Sequence, residues 1–121
     1  IIFLILNNMA INKKIFITGA SGGIGSAICK KFINNNSKLV LTSSSDEKIL
    51  KLKEKYGDNH HYYKVDLSDA QNLQSCLDEI SKDHKDISVI VNNAGIISTS
   101  LFQMTSTKKL KEMFNVNFFS I

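Results

Sequence analysis

The sequence predicts an α/β fold in which helices cover both faces of a doubly wound parallel sheet. Short apolar runs rich in β-branched residues alternate with longer segments whose apolar residues recur at helical spacing. A glycine-rich turn joins the first apolar run to the first helical segment. The resulting order is βαβαβαβ, followed by a loop and a helix, which is typical of this fold class. Right-handed crossovers imply the strand order 3-2-1-4, with these four strands beginning a longer domain.

Four short segments predict the strands, and the first, second and fourth are continuous apolar runs without the polar alternation of a half-exposed strand. Such continuous runs are expected where a parallel sheet is buried on both faces. The predicted strands are Ile15–Ile17, Leu39–Leu41, Tyr62–Val65 and Ile87–Val91.

Apolar stripes and capping residues predict the helices between and after these strands. Residues 34–36, three asparagines, end the first helix, because asparagine tolerates the left-handed conformation. Ser44 with Glu47, and Ser68 with Gln71, fit the capping box that begins a helix. The stripes are Ile24, Ala27, Ile28 and Phe32; Ile49, Leu52 and Tyr56; Leu73, Cys76, Leu77 and Ile80; and Leu110, Met113, Phe114, Asn117, Phe118 and Ile121.

Composition argues against several other classes of protein. The 121 residues suffice for one domain, and the net charge of +4 comes from lysines scattered among acidic residues, so we expect no nucleic-acid partner. Cys29 and Cys76 fall on apolar helix stripes, which predicts buried free thiols and a reducing, cytoplasmic location. The three histidines lack the spacing of metal ligands, so no metal site is expected. The apolar run at residues 1–6 is too short to span a membrane.

The glycine-rich turn, Thr18–Gly25, lies directly between a predicted strand and a predicted helix. Gly19 would let the chain turn sharply, Gly23 would let the backbone approach a pyrophosphate, and Gly25 would let the helix pack closely. The free N–H groups of the helix N-terminus would bind the phosphates. No Gly-Lys-Ser/Thr follows, which excludes a mononucleotide P-loop. The turn therefore predicts a Rossmann-type dinucleotide site.

The ends of the third and fourth strands provide further polar groups at the same predicted edge. Asp66 and Leu67 follow the third strand, and residues 92–95 (Asn-Asn-Ala-Gly) follow the fourth. Ligands of open α/β sheets bind at the carboxyl ends of the strands, so these groups converge on the glycine-rich turn. The alternative is purely structural: Asp66 forms a turn, the asparagines satisfy backbone groups, and Gly95 only turns the chain.

The end of the second strand bears on the choice of cofactor. Residues 42–45 (Thr-Ser-Ser-Ser) contain no carboxylate, and Asp46 is the first acidic residue. NAD-preferring folds place an acid here to bind the ribose 2′-hydroxyl, whereas hydroxyls can donate hydrogen bonds to a 2′-phosphate. The sequence therefore favours NADP, with NAD as the second choice. Ser44 could alternatively serve only as a helix cap.

These motifs resemble those of the short-chain dehydrogenase/reductase family and, in finer detail, the bacterial 3-oxoacyl-carrier-protein reductases. Residues 18–25 match the family's T-G-x-x-x-G-x-G, residues 92–95 match its N-N-A-G, and the resemblance covers residues 13–121. It implies that the Asp66 carboxylate meets the adenine amino group. It also implies that Asn117, within Asn-Val-Asn, is the active-site asparagine, which holds a water linking the active-site lysine to solvent. The alternative for Asn117 is a hydrogen-bonded core residue near a helix bend. NADP users of the family often have a basic residue where this chain has Gly22.

The resemblance implies an oxidoreductase that transfers a hydride between a nicotinamide cofactor and a small-molecule carbonyl or alcohol, in a homo-oligomeric protein without membrane or nucleic-acid partners. The family's Ser and Tyr-x-x-x-Lys are absent from the 121 residues. We therefore expect residues 9–121 to be the NAD(P)-binding part of a longer enzyme, inactive alone and cut after Ile121. Residues 1–8 are expected to be upstream read-through before a natural start at Met9. A non-catalytic dinucleotide sensor, or an epimerase or dehydratase, is the alternative on the same fold.

The site predicted from the sequence combines the glycine-rich turn with the three other strand ends. Asn117 is the predicted catalytic residue, and no metal ligand is predicted. The predicted cofactor-binding residues are Gly19, Ser21, Gly22, Gly23, Ile24, Gly25, Ser43, Ser44, Asp66, Leu67, Asn93, Ala94 and Gly95.

Overall fold

A computed structural model describes residues 12–120 and shows a four-stranded parallel sheet in the order β3-β2-β1-β4. The predicted α/β class and strand order are confirmed. The expectations for residues 1–8, Met9 and Ile121 lie outside the described residues. The strands are β1 (Lys14–Ile17), β2 (Lys38–Ser43), β3 (His61–Lys64) and β4 (Ile87–Val91).

Helices connect the strands in the predicted order. A 3-10 turn at Phe102–Met104 precedes the last α-helix, and a π-helical turn at Asn115–Phe119 follows it. Asn36 adopts a left-handed conformation after the first helix, with φ of 57°, as expected for the asparagine run. The α-helices are α1 (Gly23–Ile33), α2 (Asp46–Tyr56), α3 (Ala70–Asp83) and α4 (Thr107–Phe114).

The core lies on both faces of the two central strands. Alternate residues of β1 and β2, such as Ile15 and Leu39, pack on one face against α1 and α2. Phe16 and Val40 point to the other face and pack against α3. Burial of both faces explains the continuous apolar runs in the sequence.

Both cysteines are buried and unpaired, as predicted. Cys29 belongs to the buried face of α1 and packs among the core residues there, and Cys76 packs on the opposite face of the sheet. Burial raises the pKa of the Cys29 thiol to about 11, because the apolar surroundings disfavour the thiolate. These thiols are therefore structural rather than reactive.

The predicted start of α2 is wrong by one residue. Ser45, not Ser44, is the N-cap, and its hydroxyl accepts a hydrogen bond from the backbone N–H of Lys48. Pairing of β2 with β3 continues to Ser43, so the chain leaves the strand later than its apolar run suggests. Glu47 does not complete a capping box, because its carboxylate pairs with Lys51 one turn later.

The predicted start of α3 is also displaced. Asp69, not Ser68, is the N-cap, and its carboxylate accepts hydrogen bonds from the first turn of the helix. The hydroxyl of Ser68 instead donates to the carboxylate of Asp66. A carboxylate is a strong acceptor and is favoured at the positive end of a helix, so Asp69 takes the capping position.

The apolar stripe predicted for α1 is only partly buried. Ile28 and Phe32 pack against the core, but Ile24 is 74% exposed and Ala27 is also exposed. Gly25 lies on the buried face instead. Ile24 is exposed because it faces the open space at the carboxyl ends of the strands, where it lines a cleft.

The last helix and β4 leave apolar surface uncovered. Phe114 is 53% exposed and Phe118 66% exposed, as expected for a helix that is only partly covered, and Ile90 of the edge strand β4 is 63% exposed. Val116, which is not on the predicted stripe, is buried. The π-helical turn shifts the residues that follow it around the helix axis, so the regular helical spacing fails there. No helix within residues 12–120 combines the length and apolarity needed to cross a membrane.

Candidate functional site

A cleft of about 500 Å³ lies at the carboxyl ends of the strands. The segments that follow β1, β2, β3 and β4 all contribute to its walls, which is where open α/β sheets bind ligands. All the residues that the sequence predicted to bind the cofactor line this one cleft. Ser21 and Gly22 lie on the glycine-rich side, while Leu67 and Ala94 line the walls formed after β3 and β4.

The glycine-rich turn is packed tightly on its inner side and open on its outer side. Gly19 has φ of 65°, and a Cβ there would lie 2.7 Å from the Cα of Ala94. A Cβ on Gly25 would lie 2.3 Å from the carbonyl oxygen of Gly19. A Cβ on Gly23 would have no atom within 4 Å. Steric crowding thus explains two of the glycines, while the third leaves backbone open to the cleft.

Thr18 and Asn93 attach this turn to the end of β4. The hydroxyl oxygen of Thr18 accepts hydrogen bonds from the backbone N–H groups of Asn93 and Ala94, each at 3.0 Å. The side-chain amide of Asn93 donates to the carbonyl oxygens of Thr18 and Gly19, each at 3.1 Å. Asn93 lines the cleft, but its amide donors satisfy backbone groups, as the structural alternative anticipated. Its contribution is to hold the turn in place.

The N-terminus of α1 faces the cleft without a side-chain cap. Gly22 is the N-cap residue and has no side chain that could accept a hydrogen bond from the helix, and the first turn contains no acidic residue. The first N–H groups of a helix have no partner within the helix, and the helix dipole makes this end positive. Together with the open position at Gly23, this arrangement fits the pyrophosphate of a dinucleotide.

Hydroxyl groups and one lysine line the end of β2. The Ser21 and Ser43 hydroxyls lie 2.8 Å apart, and Lys48 Nζ donates to the Ser44 hydroxyl at 3.3 Å. Because Ser45 caps α2, the alternative in which Ser44 serves only as the cap is wrong. Lys48 also lines the cleft and was not predicted from the sequence.

Asp66 lines the cleft beside the end of β3. Its Oδ1 accepts hydrogen bonds from the hydroxyl of Ser68 at 2.6 Å and from the backbone N–H of Ser68 at 2.9 Å. These hydrogen bonds lower the pKa of Asp66, because they stabilise the ionised carboxylate. Asp66 therefore forms a local turn and also presents a negative charge to the cleft.

Asn117 lies in the π-helical turn and is hydrogen-bonded to the loop that follows β4. Its Oδ1 accepts from the backbone N–H of Ile96 at 2.7 Å, and its Nδ2 donates to the Ile96 carbonyl oxygen at 2.8 Å. The prediction that Asn117 lies on a buried apolar helix face is wrong, since the residue is exposed. Asn117 nevertheless lies at a helix irregularity and is hydrogen-bonded, which agrees with that part of the structural alternative.

Several other cleft residues were not predicted. Glu112 lines the cleft from α4, and its carboxylate pairs with Lys109 at 3.0 Å. Thr42 is 1% exposed, and its hydroxyl oxygen is a buried polar atom without a hydrogen-bond partner among the described residues. No group of three or more potential metal ligands occurs in that part of the chain. The unpredicted lining residues are Thr42, Lys48, Val65, Ser68, Ile96, Glu112 and Val116.

A doubly wound parallel sheet with an uncapped helix N-terminus behind a glycine-rich turn defines a dinucleotide-binding class of protein. The short chain dehydrogenase family matches residues 13–121, and the chain belongs to this family. The resemblance noted in the sequence is thereby confirmed.

Individual relatives support the same assignment. The chain is 32% identical over 106 residues to the NADPH-dependent 3-dehydrocapnine reductase of Ornithobacterium rhinotracheale, covering 86% of this chain and 38% of that protein. It is 32% identical over 115 residues to the 3-oxoacyl-[acyl-carrier-protein] reductase of Buchnera aphidicola, covering 93% and 47%. A short-chain dehydrogenase structure from Streptomyces avermitilis superposes with a TM-score of 0.79 at 25% identity, covering 89% and 40%. The chain thus spans less than half the length of each of these relatives.

Proposed function

We propose that the chain is the cofactor-binding part of an oxidoreductase that transfers a hydride between a nicotinamide dinucleotide and a small carbonyl or alcohol. The observation that supports this best is the single cleft in which an uncapped helix N-terminus, an open glycine backbone and a strand-end carboxylate meet. The bound nicotinamide would supply the hydride, whereas the protein supplies binding, orientation and electrostatics.

Each wall of the cleft has a separate task in this proposal. The N–H groups at the start of α1 would bind the pyrophosphate, and Gly23 would allow it to approach. Ser68 engages Oδ1 of Asp66, which leaves Oδ2 to accept a hydrogen bond from the adenine amino group. The backbone of Ala94 and Gly95 would border the cofactor on the β4 side.

Asn117 would act next to this cleft by positioning the loop after β4. Its two hydrogen bonds hold Ile96, and a Cβ on Gly95 would lie 3.4 Å from its Oδ1. In the family this asparagine also holds a water that links the active-site lysine to solvent, and we propose that role here. The proton donor of the family, the tyrosine of Tyr-x-x-x-Lys, is not among the 121 residues. We propose that it follows Ile121 in the complete protein, which reading the coding sequence further would test.

NADP is the proposed cofactor, with NAD as the second choice. Hydroxyl groups rather than carboxylates line the cleft at the end of β2, and the reductase of Ornithobacterium rhinotracheale is described as NADPH-dependent. An acidic residue at this position would repel a 2′-phosphate, and the cleft residues here include none. We further propose that the complete protein is a homo-oligomer and that it is located in a reducing cytoplasm. The free buried thiols support the proposal of a reducing compartment.

Binding measurements on the complete protein test this proposal. NADPH and NADH are titrated by fluorescence, and the same is done for Gly23→Val. The valine should abolish binding of both nucleotides, because its side chain would occupy the space of the pyrophosphate. The melting temperature should stay unchanged, since nothing lies within 4 Å of the Gly23 Cβ position.

Two outcomes would contradict the proposal. Unaltered nucleotide binding by Gly23→Val would show that the cleft is not the site. Nucleotide binding without NADPH oxidation, across a panel of small ketones and aldehydes, would contradict the oxidoreductase and indicate a dinucleotide sensor.

A further inference from the structure

One cation of the cleft has no role in the site described so far. Lys48 lies in the first turn of α2 and lines the cleft at the end of β2. Its Nζ donates to the hydroxyl of Ser44 at 3.3 Å, and both side chains are exposed. The other charged residues that line the cleft are the acids Asp66 and Glu112.

The nearby acidic side chains have other partners. Asp46 pairs with Lys64 at 2.7 Å, and Glu47 pairs with Lys51. The salt bridges within residues 12–120 do not include Lys48. Its positive charge is therefore available to an anion that enters this end of the cleft.

The surroundings of Lys48 suit a phosphate monoester. Ser44 contributes a hydroxyl beside the ammonium group, and the hydrogen-bonded pair of Ser21 and Ser43 lines the same region. An ammonium group forms charge-assisted hydrogen bonds to phosphate oxygens, and neighbouring hydroxyl groups can donate further hydrogen bonds to the same oxygens. In a dinucleotide fold the end of the second strand lies at the adenosine ribose, where a 2′-phosphate distinguishes NADP from NAD.

We propose that Lys48, together with Ser44, binds the 2′-phosphate of NADP and sets the preference of this protein for NADP over NAD. This inference rests on the proposed function. The cation comes from the helix that follows β2, rather than from the glycine-rich turn, where this chain has Gly22. The sequence alone did not indicate this lysine, because it lies within α2 rather than directly after β2.

The test uses the complete protein and measures dissociation constants, not turnover. Lys48→Gln should weaken NADPH binding by about 10- to 100-fold, since a hydrogen bond to a charged group is lost. NADH binding should change by less than about 2-fold, because NADH lacks the phosphate that forms this hydrogen bond. Lys48→Arg should retain the preference, whereas Lys48→Glu should reverse it.

Lys51→Gln is the matched control. This lysine lies one turn further along α2 and pairs with Glu47 outside the cleft, so its loss should leave both affinities unchanged. Adenosine 2′,5′-bisphosphate and 5′-AMP, titrated in the same way, separate recognition of the phosphate from recognition of the nicotinamide.

The possible results are distinguishable. Selective loss of NADPH and of the bisphosphate in Lys48→Gln supports the inference. Unchanged NADPH affinity, or equal loss of NADPH and NADH, overturns it while leaving the proposed function intact. If the unmodified protein binds neither dinucleotide, the proposed function and this inference both fail.

Discussion

Gly25→Ala should destabilise the protein through a contact that the glycine-rich turn cannot relieve. The added Cβ would lie 2.3 Å from the Gly19 carbonyl oxygen, 2.8 Å from Nδ2 of Asn93 and 3.0 Å from the Cα of Ala20. Two of these three atoms belong to the backbone, so the helix must move away from the turn. That movement would also disturb the hydrogen bonds from Asn93 to the carbonyl oxygens of Thr18 and Gly19.

The expected magnitude follows from these contacts. Inserting a methyl group into a packed position costs about 1–3 kcal/mol. Each weakened hydrogen bond costs up to about 0.5–1.5 kcal/mol. Replacing glycine by alanine within a helix stabilises the folded state by about 0.5–1 kcal/mol, which offsets part of this loss. The net loss should be about 3 kcal/mol, a large share of the roughly 5–15 kcal/mol by which a domain is stable.

Urea denaturation of the complete protein measures this loss as a change in the free energy of unfolding. Gly23→Ala is the matched control, because it makes the same substitution two residues earlier, where no atom lies within 4 Å. The control should stay within about 1 kcal/mol of the unmodified protein, as expected for a substitution without a clash. Equal stability of Gly25→Ala and Gly23→Ala would refute the reasoning.

Three further results are expected. Asn117→Ala should speed hydrogen exchange at the Ile96 amide, because that N–H loses its acceptor. Asn117→Asp keeps the acceptor oxygen and should preserve the protection. Equal exchange rates in the two variants would contradict the anchoring role. Burial, followed by the charge of Lys14, lowers the pKa of His84, which is hydrogen-bonded to Tyr63 at 2.8 Å. The unfolded state therefore binds more protons, so the free energy of unfolding should stay constant above pH 6.5 and decrease as pH falls below it. Denaturation at several pH values measures this change. His84→Gln should make the free energy of unfolding less dependent on pH. A polypeptide of residues 9–121 alone should aggregate, because it exposes the apolar edge strand β4. It should also fail to oxidise NADPH, because it lacks a Tyr-x-x-x-Lys to donate the proton. A monomeric peak in size-exclusion chromatography with a cooperative melt would contradict the expected aggregation, and turnover of NADPH would contradict the expected inactivity.

The chain itself was sufficient to predict the strand order and the location of the cleft. Apolar runs report burial directly, and the glycine spacing of Thr18–Gly25 lies within one short segment. The rule that ligands bind at the carboxyl ends of parallel strands then brought Asp66 and Gly95 to the same edge. These inferences need only local patterns and a fold-level rule, so they did not depend on the positions of individual side chains.

Tertiary structure alone decided which polar group each side chain engages. Thr18 and Asn93 are 75 positions apart, and only the pairing of β1 with β4 allows their hydrogen bonds. Ser44 was predicted to cap α2, but Ser45 is the cap because strand pairing extends β2 to Ser43. Ser68 was predicted to cap α3, but the carboxylate of Asp69, one residue later, is the cap. Lys48, in the first turn of the helix that Ser45 caps, lies at the cleft. Which of several neighbouring donors and acceptors form a hydrogen bond depends on distances in the folded chain. A one-residue shift of a helix cap does not change the periodic pattern of apolar residues, so the sequence pattern alone cannot predict it.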